Sequence, residues 1–281
     1  MTRVTKRWPV RRMTGAGTVQ RVDVLAGEEP LEIGLHGTPF TVTMRTPGHD
    51  FDLVAGFLVS EGVVRAPEDI VRMDYRTGIG ADGLRDFNVV DVRLAAGVAL
   101  PSPAAQRNVY TSSSCGVCGT ASIEGVRKVS AFAVEPHRGV VRLDHLLALP
   151  ERLRERQELF GRTGGVHAAG LFVPGADDGT PPALACLRED VGRHNCVDKV
   201  VGWALREGML PAAGAVLQVS GRASFELVQK AAMAGIPVLS AVSAPSALAV
   251  ELAEEAGLTL VAFNRGTQLN AYTHAHRIRP A

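Results

Sequence analysis

Apolar and polar residues alternate with a period of two over "TVQRVDVLA" (18–26) and "LEIGLHGTPFTVTMRT" (31–46), which predicts strands, with a turn at residues 37–39. The period then lengthens in "HDFDLVAGFLVSEG". Phe51, Val54 and Leu58 fall on one helical face, Asp50 stands at the N-cap position, and Gly62 ends the element. "FNVVDVRL" (87–94) returns to strand character. A charged helix, "HLLALPERLRERQELF", follows later and is expected to break at Pro150.

From residue 165 onward the two periods take turns. "GVHAAGLFV", "ALACLRE", "AGAVLQVSG", "IPVLSAVS" and "LTLVAFNRG" read as strands. Between the later ones lie the helices "HNCVDKVVGWALREG", "SFELVQKAAMAG" with Ser224 as cap, and "PSALAVELAEEAG". Such alternation predicts an α/β fold, a layered sheet with parallel members and flanking helices. In such sheets ligands sit at the carboxyl ends of the strands, where "VSGR" (219–222) and "FNRGTQ" (263–268) fall. The organisation expected is a basic flexible tail (1–15), a mainly β N-terminal portion (16–105) and an α/β portion (106–281).

Composition narrows the function classes. The 281 residues are 46% hydrophobic and 21% charged, ordinary for a globular protein. Thirty Lys and Arg against 29 Asp and Glu leave a net charge of +1, so bulk charge gives nucleic-acid binding no support. Arg3, Lys6, Arg7, Arg11 and Arg12 crowd the start without an acid. They read either as a solvated tail or as a docking arm for an acidic partner. No apolar run is long enough for a membrane span, no apolar segment follows the N-terminal charges as in a secretory signal, and four cysteines are too few for a disulfide scaffold. A cytoplasmic protein with reduced thiols is expected.

Chemistry concentrates in "TSSSCGVCGT" (111–120), which holds Cys115 and Cys118. Structural zinc would need two more ligands, and Cys186 and Cys196 lack ribbon spacing. A thioredoxin-like pair normally follows the first strand of a βαβ unit, whereas this one lies mid-chain behind serines. A deaminase zinc site would need H-x-E before P-C-x-x-C; no such His is present, and Ser114 precedes Cys115. The remaining reading is a nucleophilic thiol that carries a group. The N–H groups of a helix starting in "GTASIEGV" would support a thiolate, and Gly116 and Gly119 would let a partner's active site approach.

With these segments "TPGHDFDLVAGFLVSEG", "SSSCGVCG", "TGGVHAAG", "REDVGRHNCVDKVVG", "SGRASFELVQKAAMAGIPVLSAVSAPSALAV" and "GLTLVAFNRG" in order, the chain resembles the FdhD family, sulfur carriers required for formate dehydrogenase activity. The resemblance implies a sulfurtransferase that takes persulfide sulfur from a cysteine desulfurase. It would pass that sulfur to the molybdenum (or tungsten) bis(molybdopterin guanine dinucleotide) cofactor before the cofactor enters formate dehydrogenase. It also implies a fold similar to cytidine deaminases, a homodimer, Cys115 as the persulfide-bearing residue, and Cys118 as its partner. The protein itself is expected to ligate no metal, and partners are expected to be these two proteins, not nucleic acid or membrane.

The same resemblance makes Phe263, Asn264, Arg265, Gly266, Thr267 and Gln268 the segment contacting the cofactor, for which guanine nucleotide can stand in. Phe263 would stack on a guanine, Asn264 or Gln268 would bond its edge, and Arg265 and Arg222 would meet phosphate. The family commonly has a small residue at Cys196; both Cys196 and Cys186 are expected in the core. Arg193, His194, Asp198 and Lys199 stand open between anion contacts and surface charges. His167 stands open between a proton carrier and a strand histidine. The rival function is a cofactor-binding chaperone that transfers no sulfur.

Overall fold

The structure, a computed structural model, describes residues 4–79, 85–100, 130–134, 138–177 and 179–280. Strands β1 (Thr5–Thr14) and β2 (Gly17–Ala26) pair as an antiparallel ribbon. The basic start is thus placed as a strand rather than a solvated tail. Trp8 and Val10 alternate with charged neighbours, and β2 supplies a partner in continuous register. Strands β3 (Glu29–Leu35) and β4 (Thr38–Arg45) form a hairpin, joined later by β5 (Ile70–Tyr75) and β6 (Val89–Leu94). Together they make a four-stranded sheet of order β4-β3-β6-β5.

Helix α1 (Asp50–Ser60) follows β4. His49, in left-handed conformation, takes the N-cap position expected of Asp50. Asp50 instead opens the helix as a buried carboxylate, bonded by Arg45 through Nε and Nη2, both at 3.0 Å, and by the Tyr75 hydroxyl at 3.1 Å. Burial, and then the Asp50 charge, push the Tyr75 phenol up to about 12.

Helix α2 (Leu143–Glu155) runs through Pro150, and the break expected there comes only at Gln157, before α3 (Glu158–Thr163). Pro150 still has a local effect. It has no N–H for the carbonyl of Leu146, so that oxygen must find a partner elsewhere.

The larger sheet contains β7 (His167–Val173), β8 (Ala183–Asp190), β9 (Val216–Val219), β10 (Val238–Ala241), β11 (Thr259–Ala262) and β12 (Asn270–Ala271), in the order β8-β7-β9-β10-β11-β12. β9, β10 and β11 are parallel, joined through α5 (Phe225–Met233) and α6 (Ala247–Glu255), as the alternating pattern predicts. α4 (Arg193–Arg206) links β8 to β9. Leu171, Leu217, Leu239 and Leu260 face one apolar cluster, and their neighbours Phe172, Val216, Val238 and Val261 face a second one with Leu146 and Leu149 of α2. The sheet therefore has helices on both faces, and its strands are nearly all apolar for that reason.

The first cluster also takes in Leu31, Ile33, Val90 and Val92 of the smaller sheet, so one continuous core spans both sheets. Its centre is the crossing of α1 and α4, where Gly56 meets Gly202 backbone to backbone. Charges near this crossing are satisfied internally. Asp52 of α1 pairs with Arg188 at 2.8 Å and Arg206 at 2.6 Å. Lys199 bonds Asp190 at 2.6 Å and the Thr46 carbonyl at 2.9 Å, and Asp198 accepts from Ser60 and Lys230, each at 2.7 Å. Asp198 and Lys199 are thus neither surface charges nor free anion contacts. α4 is buried nearly all round, so its ionic groups find partners within the fold.

Candidate functional site

The parallel strands β9, β10 and β11 end at Ser220, Val242 and Asn264, and these three residues line one side of a cavity of about 850 Å³. Pro150, Glu151 and Arg154 of α2, Gln157, and Phe160 of α3 line the opposite side. Its volume is that of a small-molecule site, and it lies where an open α/β sheet binds ligands. Arg154, Arg265 and His167 face it alongside Glu151, the one carboxylate of its lining among the described residues. Arg154 also sits 4.2 Å from the Phe160 ring centroid, which gives one wall a flat, cationic surface.

"FNRGTQ" is the tight connection between antiparallel β11 and β12. The Arg265 N–H donates to the Gln268 carbonyl at 3.1 Å, and Gly266 takes φ +83°, a left-handed value for which glycine is suited. Phe263 adopts φ +51° without being glycine, a conformation that marks a strained position. Its ring lies half-buried with the Arg265 guanidinium 5.4 Å from the centroid. Arg265, Gly266, Thr267 and Gln268 are exposed, and of these Arg265 and Gly266 line the cavity.

Asn264 is fully buried and ties the two walls together. Its Nδ2 donates to the Leu146 carbonyl at 2.7 Å and to Ser240 Oγ at 3.1 Å. The Leu146 oxygen is the acceptor that Pro150 leaves without a helical donor, so the proline and the asparagine form one device across the cavity. Asn264 Oδ1 has no hydrogen-bond partner among the described residues. The amide nitrogen is thus committed to the scaffold. Arg222, exposed in the turn before α5, does not line the cavity.

His167 opens β7, which runs antiparallel to β9, so its start lies beside the end of β9. The adjacent Ala168 N–H donates to Ser220 Oγ at 2.9 Å, and Ser220 N–H to the Ala168 carbonyl at 3.0 Å. Burial lowers the His167 pKa below the ordinary 6.5, with the charges of Arg193 and His194 acting in the same direction. The unfolded chain therefore binds a proton at His167 more readily than the folded chain. Stability is full above about pH 6.5 and falls as the pH drops through the unfolded and then the folded value. His49, lowered by burial and Arg188, adds to the same slope. We expect His167→Asn to make the loss of stability between about pH 7.5 and about pH 5.5 shallower, read from urea midpoints at both values. An unchanged slope would show that His167 is not held neutral by the fold.

The two central cysteines, Cys115 and Cys118, lie outside the described residues. Cys186 and Cys196 are in the hydrophobic core, as expected. Burial pushes the Cys186 thiol up to about 12 and raises that of Cys196, whose Sγ donates to the Asp190 carbonyl at 3.6 Å. Both stay protonated and enclosed near neutral pH, which makes them poor nucleophiles and poor metal ligands. No cluster of three or more His, Cys, Asp or Glu able to hold a metal occurs among the described residues, and no helix there is long and apolar enough to cross a membrane. The helix-side wall of the cavity, from Glu151 to Phe160, escaped sequence reasoning. Its only signal was the cluster of charge after Pro150, which reads equally well as a solvated helix face.

The chain matches the model of the FdhD/NarQ family over residues 26–279. It is 55% identical over 277 residues to a sulfur carrier protein FdhD of Nocardia farcinica, covering 99% of this chain and 96% of that one. A sulfur carrier protein FdhD of Streptomyces avermitilis is 54% identical over 279 residues, covering 99% and 97%. A crystal structure from Desulfotalea psychrophila, described as a formate dehydrogenase accessory protein, shares the fold with a TM-score of 0.73 at 22% identity, covering 99% of this chain and 100% of that one.

Proposed function

This chain belongs to the FdhD/NarQ family, and from that premise we propose that it is a cytoplasmic, homodimeric sulfur carrier for the maturation of formate dehydrogenase. In this reading a cysteine desulfurase supplies the sulfur, and the bis(molybdopterin guanine dinucleotide) metal cofactor receives it before insertion into the enzyme. The observation that supports the reading most is the cavity at the carboxyl edge of β9, β10 and β11, bounded by Arg154 and Arg265, in a chain that also carries the "SSSCGVCG" loop. Cations beside a strained aromatic residue suit a ligand with phosphates and flat bases. The six-stranded sheet serves here as a cytidine deaminase-like scaffold turned to sulfur transfer.

The chemistry balances with these residues alone up to the point of release. The Cys115 thiolate attacks the terminal sulfur of the donor's persulfide, an S–S bond forms on Cys115, and the donor cysteine leaves as thiolate. Cys118 then attacks the inner sulfur of Cys115. The Cys115–Cys118 disulfide forms, and the terminal sulfur departs with the electron pair as hydrosulfide for the cofactor. The sulfur is reduced, the two thiols are oxidised, and a dithiol reductant resets the pair.

Incubation with a cysteine desulfurase and L-cysteine, followed by intact mass, tests the proposal. One or more added sulfur atoms on the wild-type protein, absent from Cys115→Ser, is the expected result. No added sulfur, with guanine nucleotide still bound, would replace it with a chaperone that holds the cofactor and transfers nothing.

A further inference from the structure

The β1–β2 ribbon has no role in the chemistry above, yet its surface is unlike the rest of the chain. Residues 5–26 carry Lys6, Arg7, Arg11, Arg12 and Arg21 against a single acid, Asp23, in a protein whose net charge is only +1. All five cations are exposed. So are Trp8, Met13, Val19, Val22 and Leu25, the last at 41% and Met13 at 72%. The register places Trp8, Val19 and Leu25 on one face with Lys6, Arg12 and Arg21, and Met13 and Val22 on the other with Arg7 and Arg11. An isolated two-stranded ribbon is marginal in water, and one with bare apolar side chains on both faces gains most by being covered. Aromatic and apolar residues ringed by arginine are the composition of a protein interface.

We infer that the ribbon is a docking arm for an acidic, apolar-centred surface on the protein that receives the processed cofactor. The inference rests on the carrier reading. Position selects the recipient over the sulfur donor: β2 packs against α3, and α3 supplies Phe160 to the cavity wall. A partner gripped by the ribbon is therefore held beside the mouth from which the cofactor leaves. Charge argues against a second copy of the chain paired ribbon to ribbon, because a two-fold contact would oppose five cations to five cations. The apolar side chains on both faces argue against duplex nucleic acid, where they would meet phosphates.

The test compares the full-length protein with an Arg7→Glu/Arg11→Glu/Arg12→Glu variant and with Trp8→Ala. Affinity is measured for purified formate dehydrogenase apoenzyme and for purified cysteine desulfurase at low and high salt. We expect wild-type binding to the apoenzyme to weaken with salt, and each variant to weaken it about tenfold or more. Desulfurase binding and sulfur uptake on Cys115 should stay at wild-type level. The docking role is overturned if the apoenzyme does not bind the wild-type protein or binds the variants equally well. It is overturned too if the loss falls on the desulfurase, if charge reversal changes the oligomeric state, or if a duplex DNA probe competes through the same arginines. Failure of the wild-type protein to take up sulfur would instead reject the carrier reading and leave the binding result to be judged by itself.

Discussion

Cys115→Ser is expected to lower formate dehydrogenase activity in a host lacking the native chain by roughly three orders of magnitude, the scale of removing a covalent nucleophile. The serine hydroxyl is nearly isosteric but is not a thiolate at neutral pH, so it neither attacks a persulfide nor holds one. No other cysteine of the chain stands ready to replace it. Cys186 and Cys196 are enclosed in the core, and burial raises both thiols. Cys118 would lose the inner sulfur that it attacks. Binding of guanine nucleotide and the unfolding midpoint should stay at wild-type values, which separates lost chemistry from lost folding. Formate dehydrogenase activity in extracts, measured beside the intact mass of the purified variant, is the check. Activity within a few-fold of wild type would remove Cys115 from the mechanism.

Gly56→Ala and Gly202→Ala are each expected to destabilise the fold by at least about 3 kcal/mol, above the usual range for overpacking. Helix propensity alone predicts the opposite sign, since Ala is favoured over Gly by about 1 kcal/mol in a helix interior. Packing decides here. A Cβ on Gly56 would overlap the Asp198 carbonyl oxygen and lie 2.7 Å from the Gly202 nitrogen. A Cβ on Gly202 would overlap the Asp52 carbonyl oxygen and lie 2.6 Å from the Gly56 nitrogen. These neighbours are helix backbone and cannot swing aside, so α1 and α4 must separate along the core that joins the two sheets. The two changes act on one contact, and the double variant should therefore cost less than the sum of the singles. Gly161→Ala is the control: its Cβ would meet nothing within 4 Å, and that variant should be neutral or slightly stabilised. Urea midpoints on the four variants test this; a Gly202→Ala protein as stable as the control would mean that the helices are not held this close.

Much of the architecture was legible from one residue and its near neighbours. The five C-terminal strands, their helices and the parallel centre of the sheet follow from apolar periods of about 2 and about 3.6, which report the side of an element that faces the core. Core positions for Cys186 and Cys196 followed from their apolar settings, and the carboxyl edge of the sheet as a ligand site followed from its topology. The start of the chain was less legible. A cluster of cations reads as solvated charge, and only the partner strand β2 reveals the ribbon. The charges of "GRHNCVDK" were ambiguous for a similar reason, since whether Lys199 meets water or Asp190 depends on what else surrounds α4.

The sequence by itself determined that Pro150 must leave the Leu146 carbonyl without a helical donor, because proline has no N–H. Only the tertiary structure decided that Asn264, 118 residues away, supplies that donor and in doing so joins the helix wall of the cavity to its sheet wall. The same division holds at Gly56 and Gly202, whose lack of a side chain is written in the chain but whose need for it arises where α1 crosses α4. Local pattern acts through neighbours within a turn or two. A cavity or a close crossing is made by groups that meet only after the chain has folded, and its requirements are set by those contacts.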